Sequence, residues 1–349
     1  MLALEQSVEM PLAAVRDPDI RESVVARVAA IEPVDKESGR FRVTLHLSTA
    51  TVEADPAQLL NMVFGNCSLQ DDVELEDVEL PAQAIAALRG PKHGIAGVRE
   101  ITGVYGRPLT CTALKPQGSS PQTLATLCET FATAGIDVIK DDHGIADQRY
   151  APFQDRVRLC QEAVQRVRER TGRCTQYAPS LVGRPQRVAE QAEFARACGI
   201  RIVLIAPMLL GAPAFAEFAA ATDLVLLAHP AFGGSRISPV WLFGKFFRLL
   251  GADAVIYPNY GGRFAYTPQQ CRGLASALRE PWHGVAPALP VPAGGMAVER
   301  TGEMIEFYGN DVMLLIGGSL LAAGDGLLER SRTFVDAVER AGAYSGGSR

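Results

Sequence analysis

The stretch GIDVIKDDHG, residues 135–144, ends an apolar run with a lysine, two aspartates and a histidine. Such groups resist burial, so their place at the tip of a buried-looking segment needs a physical reason. Lys140 and Asp142 are two residues apart and face the same side of an extended strand. His143 sits where the chain turns.

Outward from this stretch the pattern repeats. From about residue 108, short β-rich apolar runs recur at roughly 25 to 35 residues, each ending in Pro, Gly, Asn or charge. Eight are legible: LTCTALKP (109–116), GIDVIKDD (135–142), TQYAPSLV (175–182), IRIVLIAP (200–207), DLVLLAHP (223–230), GADAVIYPN (251–259), ALPVPAGG (288–295) and VMLLIGGS (312–319). The segments between include PQTLATLCETFATA, FQDRVRLCQEAVQRVRERTG and RPQRVAEQAEFARACG, whose apolar residues recur at three and four, with Gly closing the last two. Near-continuous apolar strands joined by helical crossovers require a parallel sheet covered by helices, and eight units close a (β/α)8 TIM barrel. An open doubly wound sheet is the alternative.

The first hundred residues read differently. VVARVAAIEPV and RFRVTLHLST predict two strands around a DKESGR turn, followed by a helix over ADPAQLLNMVF with Asp55 near its start. The expectation is a small α+β domain over 1–100 and a barrel over 101–349, divided within the Gly- and Pro-rich stretch 89–108.

Composition narrows the function classes. The 349 residues are 48% hydrophobic and 21% charged with a net charge of −5, which is globular and gives no basic surplus for a phosphate backbone. No apolar run reaches the roughly 18 to 20 residues of a membrane span, and the first residues carry acids rather than a basic leader. The seven cysteines are scattered, with no CxxC pair, which fits a reducing cytosol better than a disulfide framework. A soluble cytoplasmic protein without a nucleic-acid partner is expected.

In a barrel of this type the active site lies at the C-terminal strand ends, which gives the reason asked for at the outset. A plain ion pair is the simplest account of Lys140 and Asp142. A lysine deprotonated by its surroundings can instead act as nucleophile or base, or take up CO₂ as a carbamate. Carbamylated Lys140, Asp142 and His143 would together offer donors to Mg²⁺. Lys115, at the end of the preceding strand, is a candidate general base; the positive charge of a metal beside it would lower its pKa. His229 faces the mouth from the fifth barrel strand, and Arg263 in a Gly-flanked loop could clamp a phosphate or carboxylate. Gly294–Gly295 and Gly317–Gly318, followed by Ser319, end the last two strands, where backbone N–H groups commonly hold phosphate.

Together these residues resemble the large-subunit family of ribulose-1,5-bisphosphate carboxylase/oxygenase (RuBisCO). The matching motifs are GPKHGI (90–95), YGRPLTCTALKP (105–116), GIDVIKDD (135–142), LPVPAGG (289–295) and IGGSL (316–320), in order. The resemblance implies a ferredoxin-like N-terminal domain, a catalytic barrel and a homodimer whose site is completed by the partner. It also implies that Lys115 handles the proton, Lys140 carries the carbamate, Asp142 binds Mg²⁺ and His229 contacts substrate. Compared with that family the opening strand is missing, and Glu5 in LEQSVEMP is expected to be the residue that reaches a neighbouring site.

The departures point away from carboxylation. His143 stands where the family has Glu, and Gln117 where it has the second lysine of KPK. YPNYGGRF lacks the mobile lysine, GADAVIYPN lacks the histidine, Ala293 replaces a serine and Pro230 an arginine. The resemblance is therefore to the RuBisCO-like proteins of form IV. It implies Mg²⁺-dependent enolate chemistry on a phosphorylated keto sugar or sugar acid. KDDHG directs the expectation to a transcarboxylase/hydrolase acting on a 3-oxo-isoapionate 4-phosphate type of substrate. The alternatives are a methionine-salvage enolase or isomerase of a methylthio-sugar phosphate, a metal-free aldolase with a Schiff base on Lys115 or Lys140, and a non-catalytic regulator that keeps the fold.

Overall fold

The computed structural model describes residues 1–345 except 36, 37, 54 and 235, with the side chains of 343–345 left aside. The chain forms two compact units, Met1–Leu88 with Ser235–Ser238, and Arg89–Gly234 with Pro239–Arg349.

The smaller unit is α+β. Strands β1 (Arg27–Pro33) and β2 (Phe41–His46) pair antiparallel from Arg27↔His46 to Pro33↔Phe41, with a bulge between Val28 and Ala30. The expected helix is Pro56–Phe64, and Asp55 caps it by accepting from the Gln58 amide at 2.6 Å. Glu5 is engaged within its own unit, accepting at 3.0 Å from the Asn66 side chain, which also donates to Glu9.

The larger unit contains eight parallel strands: β3 (Leu109–Leu114), β4 (Val138–Asp141), β5 (Gln176–Ala178), β6 (Ile202–Ile205), β7 (Val225–Ala228), β8 (Ala254–Pro258), β9 (Leu289–Ala293) and β10 (Met313–Leu315). Each lies inside one of the eight apolar runs read from the sequence. Hydrogen bonding gives the orders β10-β3-β4-β5 and β6-β7-β8-β9. A bridge from Ser180 to Leu204 links β5 to β6. The fold is a (β/α)8 barrel, and the open sheet is set aside.

The crossovers follow from local chemistry. Pro121–Ala134 starts at Ser120, whose hydroxyl accepts from the Thr123 amide, and ends at Gly135 with φ +93°. Phe153–Thr171 ends at Gly172 with φ +73°. Such left-handed caps satisfy the last carbonyls at no Cβ penalty. Among the described residues no helix is long and apolar enough to cross a membrane.

Alternation decides what faces the barrel interior. Leu109 and Cys111 of β3, Val138 of β4, Val225 and Leu227 of β7, and Met313 and Leu315 of β10 belong to one buried cluster. Helix Gly94–Thr102 plugs its N-terminal end with Ile95 and Val98. Continuing the same period-2 parity past the strand ends puts Lys115, Lys140, Asp142, His229 and Gly317 on the inner side at the opposite, C-terminal mouth.

Candidate active site at the barrel mouth

Lys115 and Asp142 meet directly. The Lys115 Nζ donates to Asp142 Oδ1 at 2.6 Å, joining the ends of β3 and β4. Lys140, buried at 3% exposure, donates to the carbonyl of Asp141 at 2.9 Å. Burial pushes the Lys140 amine below its ordinary range, and the Lys115 charge adds to the effect, although the nearby acids oppose it. Burial alone would raise Asp142, but the approach of His143, the hydrogen bond from Lys115 and the two lysine charges hold it well below the usual carboxylate range.

The two histidines cross the mouth to each other. His143, after β4, and His229, after β7, stack with ring centroids 4.1 Å apart and planes 12° from parallel. His143 Nδ1 is 3.7 Å from Asp142 Oδ1. The Ala231 amide donates to His229 Nδ1 at 3.1 Å, so the proton of a neutral ring sits on Nε2. Burial, then the Lys140 and His143 charges, push the His229 imidazole down to about 2.

That depression has a measurable consequence. An unfolded imidazole binds a proton near 6.5 whereas the folded one stays neutral down to about 2, so unfolding takes up a proton across this window. Stability from this site is whole above pH 6.5 and is lost as pH falls, by up to about 1.4 kcal/mol per unit. Urea denaturation at pH 7 and pH 5 should show a smaller acid loss in His229→Phe than in the wild type; equal losses would contradict the assignment.

The two glycine pairs differ. A Cβ on Gly294 would come 3.1 Å from the Phe264 ring, and one on Gly295 would lie 2.8 Å from the Arg263 nitrogen. The Arg263 amide also donates to the Gly294 carbonyl at 2.9 Å. Close packing of the loop after β8 thus accounts for this pair, in addition to any ligand. Arg263 is exposed, its guanidinium 5.2 Å over the Phe264 ring. At Gly317 a Cβ would meet only Ala113, 3.7 Å away, and at Gly318 nothing within 4 Å. Packing does not require these two glycines, and the space above them is open.

Among the described residues no three carboxylate, imidazole or thiolate groups converge to hold a metal ion. The donor set fits Mg²⁺ on one condition, that Lys140 is a carbamate. Its desolvated amine favours the neutral form, which is the form that reacts with CO₂. The product would stand beside Asp142 and His143 as a second carboxylate-like ligand.

The sequence reading passed over a second layer. Asp141, fully buried, points away from the mouth and accepts from Arg156 Nε at 3.0 Å, Tyr177 OH at 2.7 Å and the Ser180 amide at 3.0 Å. The signal was present. Arg156 falls on the three-and-four spacing of the buried stripe Phe153, Val157, Cys160 and Val164, where a cation is out of place unless paired. A cavity of about 240 Å³ lies at the other end of the barrel between Arg107, Asp137, Arg173 and Glu339, away from the lysines.

A parallel-stranded barrel with two lysines, an acid and two histidines gathered at its C-terminal mouth belongs to the class of (β/α)8 barrel proteins whose polar groups converge where such barrels carry their active sites. Within that class the chain belongs to the RuBisCO large-chain family, as a RuBisCO-like protein: the model of the ribulose bisphosphate carboxylase large chain, catalytic domain, matches residues 94–329. The chain is 51% identical over 339 residues to ribulose bisphosphate carboxylase-like protein 1 of Rhodopseudomonas palustris, covering 97% of this chain and 92% of that one. It is 49% identical over 352 residues to the 5-methylthioribulose-1-phosphate isomerase of Rhodospirillum rubrum, covering 99% and 92%. The crystal structure of a RuBisCO-like protein from Rhodopseudomonas palustris superposes with a TM-score of 0.90 at 43% identity, covering 100% of this chain and 93% of that one.

Proposed function

We propose that this protein isomerises a phosphorylated methylthio-ketose by moving a proton between the α-carbon and the adjacent carbonyl carbon, a reading supported by the name of its Rhodospirillum rubrum relative, a 5-methylthioribulose-1-phosphate isomerase. The observation that carries the proposal is the cluster of Lys115, Asp142, Lys140 and neutral His229 within one barrel mouth. The relative's name favours this substrate over the branched sugar-acid phosphate expected from KDDHG.

In the proposed reaction Lys115 serves as the base that takes the proton from the α-carbon, and the electron pair moves to the carbonyl oxygen. The Nε2–H of His229 donates to that oxygen as charge develops, in a site where a neutral donor needs no reorganisation. Asp142 orients the Lys115 amine, which returns the proton to the former carbonyl carbon while the hydroxyl proton of the α-carbon passes to the former carbonyl oxygen, so that the carbonyl moves to the α-carbon. The amides of Gly317, Gly318 and Ser319 hold the phosphate. Lys140 as carbamate, Asp142 and His143 would hold Mg²⁺, which supplies a Lewis acid for the carbonyl. A homodimer with a shared site and a cytoplasmic location belong to the same proposal.

The test is ¹H NMR of 5-methylthioribulose 1-phosphate in D₂O with enzyme, Mg²⁺ and bicarbonate. Loss of the α-proton signal with formation of an isomer is expected; no exchange under any condition would remove the proposal. A companion variant, Gly318→Ala, is expected to leave the melting temperature within about 1 °C, because nothing lies within 4 Å of the added methyl. It should raise KM several-fold by crowding the phosphate. An unchanged KM would place the phosphate elsewhere.

A further inference from the structure

The hydrogen bonds around Asp141 have a geometry that a purely stabilising ion pair does not need. The β4–β5 ladder stops at Lys140↔Ala178 and the β3–β4 ladder at Leu114↔Asp141. Beyond that point the Asp142 amide keeps only a long 3.3 Å bond to the Leu114 carbonyl. The Asp141 carboxylate takes over where the ladder ends. Its Oδ2 accepts from the Ser180 amide across the gap to the segment after β5, and its Oδ1 from the Tyr177 hydroxyl on β5. Arg156, on the helix Phe153–Thr171 between β4 and β5, bonds Oδ2 through Nε and the Ala151 carbonyl through Nη1 at 2.8 Å. The far end of the 142–152 loop is thereby tied to the same carboxylate. On the inner side, the Asp141 carbonyl is the acceptor that holds the Lys140 Nζ.

We infer that Asp141 is a positioning residue whose clamp by Tyr177, Arg156 and the Ser180 amide aims Lys140 and Asp142 into the mouth. The inference rests on reading Lys140 and Asp142 as the reacting site. Asp141 touches no substrate; it acts through the peptide that joins its two neighbours. A strand end carrying two reactive side chains would otherwise be free to rotate, and misplacement by about 1 Å costs on the order of 100-fold in rate.

Tyr177→Phe removes one hydroxyl and keeps the ring, so it loosens the clamp with little change in packing. The expected result is a kcat lower by about ten- to a hundredfold with KM within about twofold. A second readout needs no turnover: acetylation of Lys140 by acetic anhydride, followed by mass spectrometry against the surface Lys92. In Tyr177→Phe the Lys140 rate should change several-fold while Lys92 stays constant. In the double variant Tyr177→Phe with Asp141→Asn, kcat should equal that of Asp141→Asn alone, since both act through one carboxylate. A lowered melting temperature with unchanged kcat and unchanged Lys140 labelling would make the network structural only and overturn the inference, as would additive losses in the double variant. If Asp141→Asn does not fold, Tyr177→Phe decides alone. If the wild type does not turn over the ketose phosphate, the proposed function fails and the labelling arm decides the positioning role by itself.

Discussion

Alanine at position 140 is expected to lower proton-exchange turnover by about 10²–10⁴-fold, the range for removing a positioned proton-transfer group, while the protein stays folded. The fold should tolerate it because Lys140 is itself a burden on stability. Its amine is desolvated and its one hydrogen bond is to a backbone carbonyl, with no carboxylate salt bridge. Removing it abolishes the buried, desolvated amine assigned here as the carbamate beside Asp142. Bicarbonate-dependent Mg²⁺ binding, followed by titration, should therefore vanish in Lys140→Ala and persist in Lys115→Ala. Turnover within tenfold of the wild type would remove Lys140 from the site, and metal binding that survives the substitution would remove the carbamate.

The contrast between Lys140 and Asp141 shows what the sequence could and could not reveal. Parity along GIDVIKDDHG was enough to put Lys140 and Asp142 on one face, and the eightfold recurrence of apolar runs was enough to put that face inside a barrel. Neither signal depends on tertiary detail. The partners of Asp141 do: Arg156 and Tyr177 come from different elements 15 and 36 residues away, and only the closed barrel brings them to one carboxylate. The stacking of His143 on His229 was equally hidden, since it spans the mouth between β4 and β7. Gly294–Gly295 illustrates the opposite problem. The sequence offered a plausible ligand role, and the structure supplies a packing reason for the same two residues in the Phe264 ring and the Arg263 nitrogen. Gly317–Gly318 has no such packing reason, so the phosphate argument now rests more on β10 than on β9. Fold class and the inner-face residues are set by local period; the outer layer is set by long-range closure.

Replacing Arg156 with methionine is expected to be the most destabilising single change in the barrel, costing about 3–5 kcal/mol. Arg156 and Asp141 are both fully buried, 3.0 Å apart, so the substitution takes the counter-charge from a carboxylate that has no solvent exposure. Tyr177 and the Ser180 amide would still donate to it, but two neutral donors do not offset a buried negative charge. The pair itself contributes less than this loss suggests, because both charges were desolvated to form it. Arg156→Met with Asp141→Leu should therefore recover most of the stability lost by Arg156→Met alone, as judged by urea denaturation. Its turnover should nevertheless stay low, because the peptide between Lys140 and Asp142 is no longer held. Recovery of both stability and turnover would show that charge burial, and not aim, is all that the Asp141 network provides. Recovery of stability alone would separate the two roles within one pair of residues.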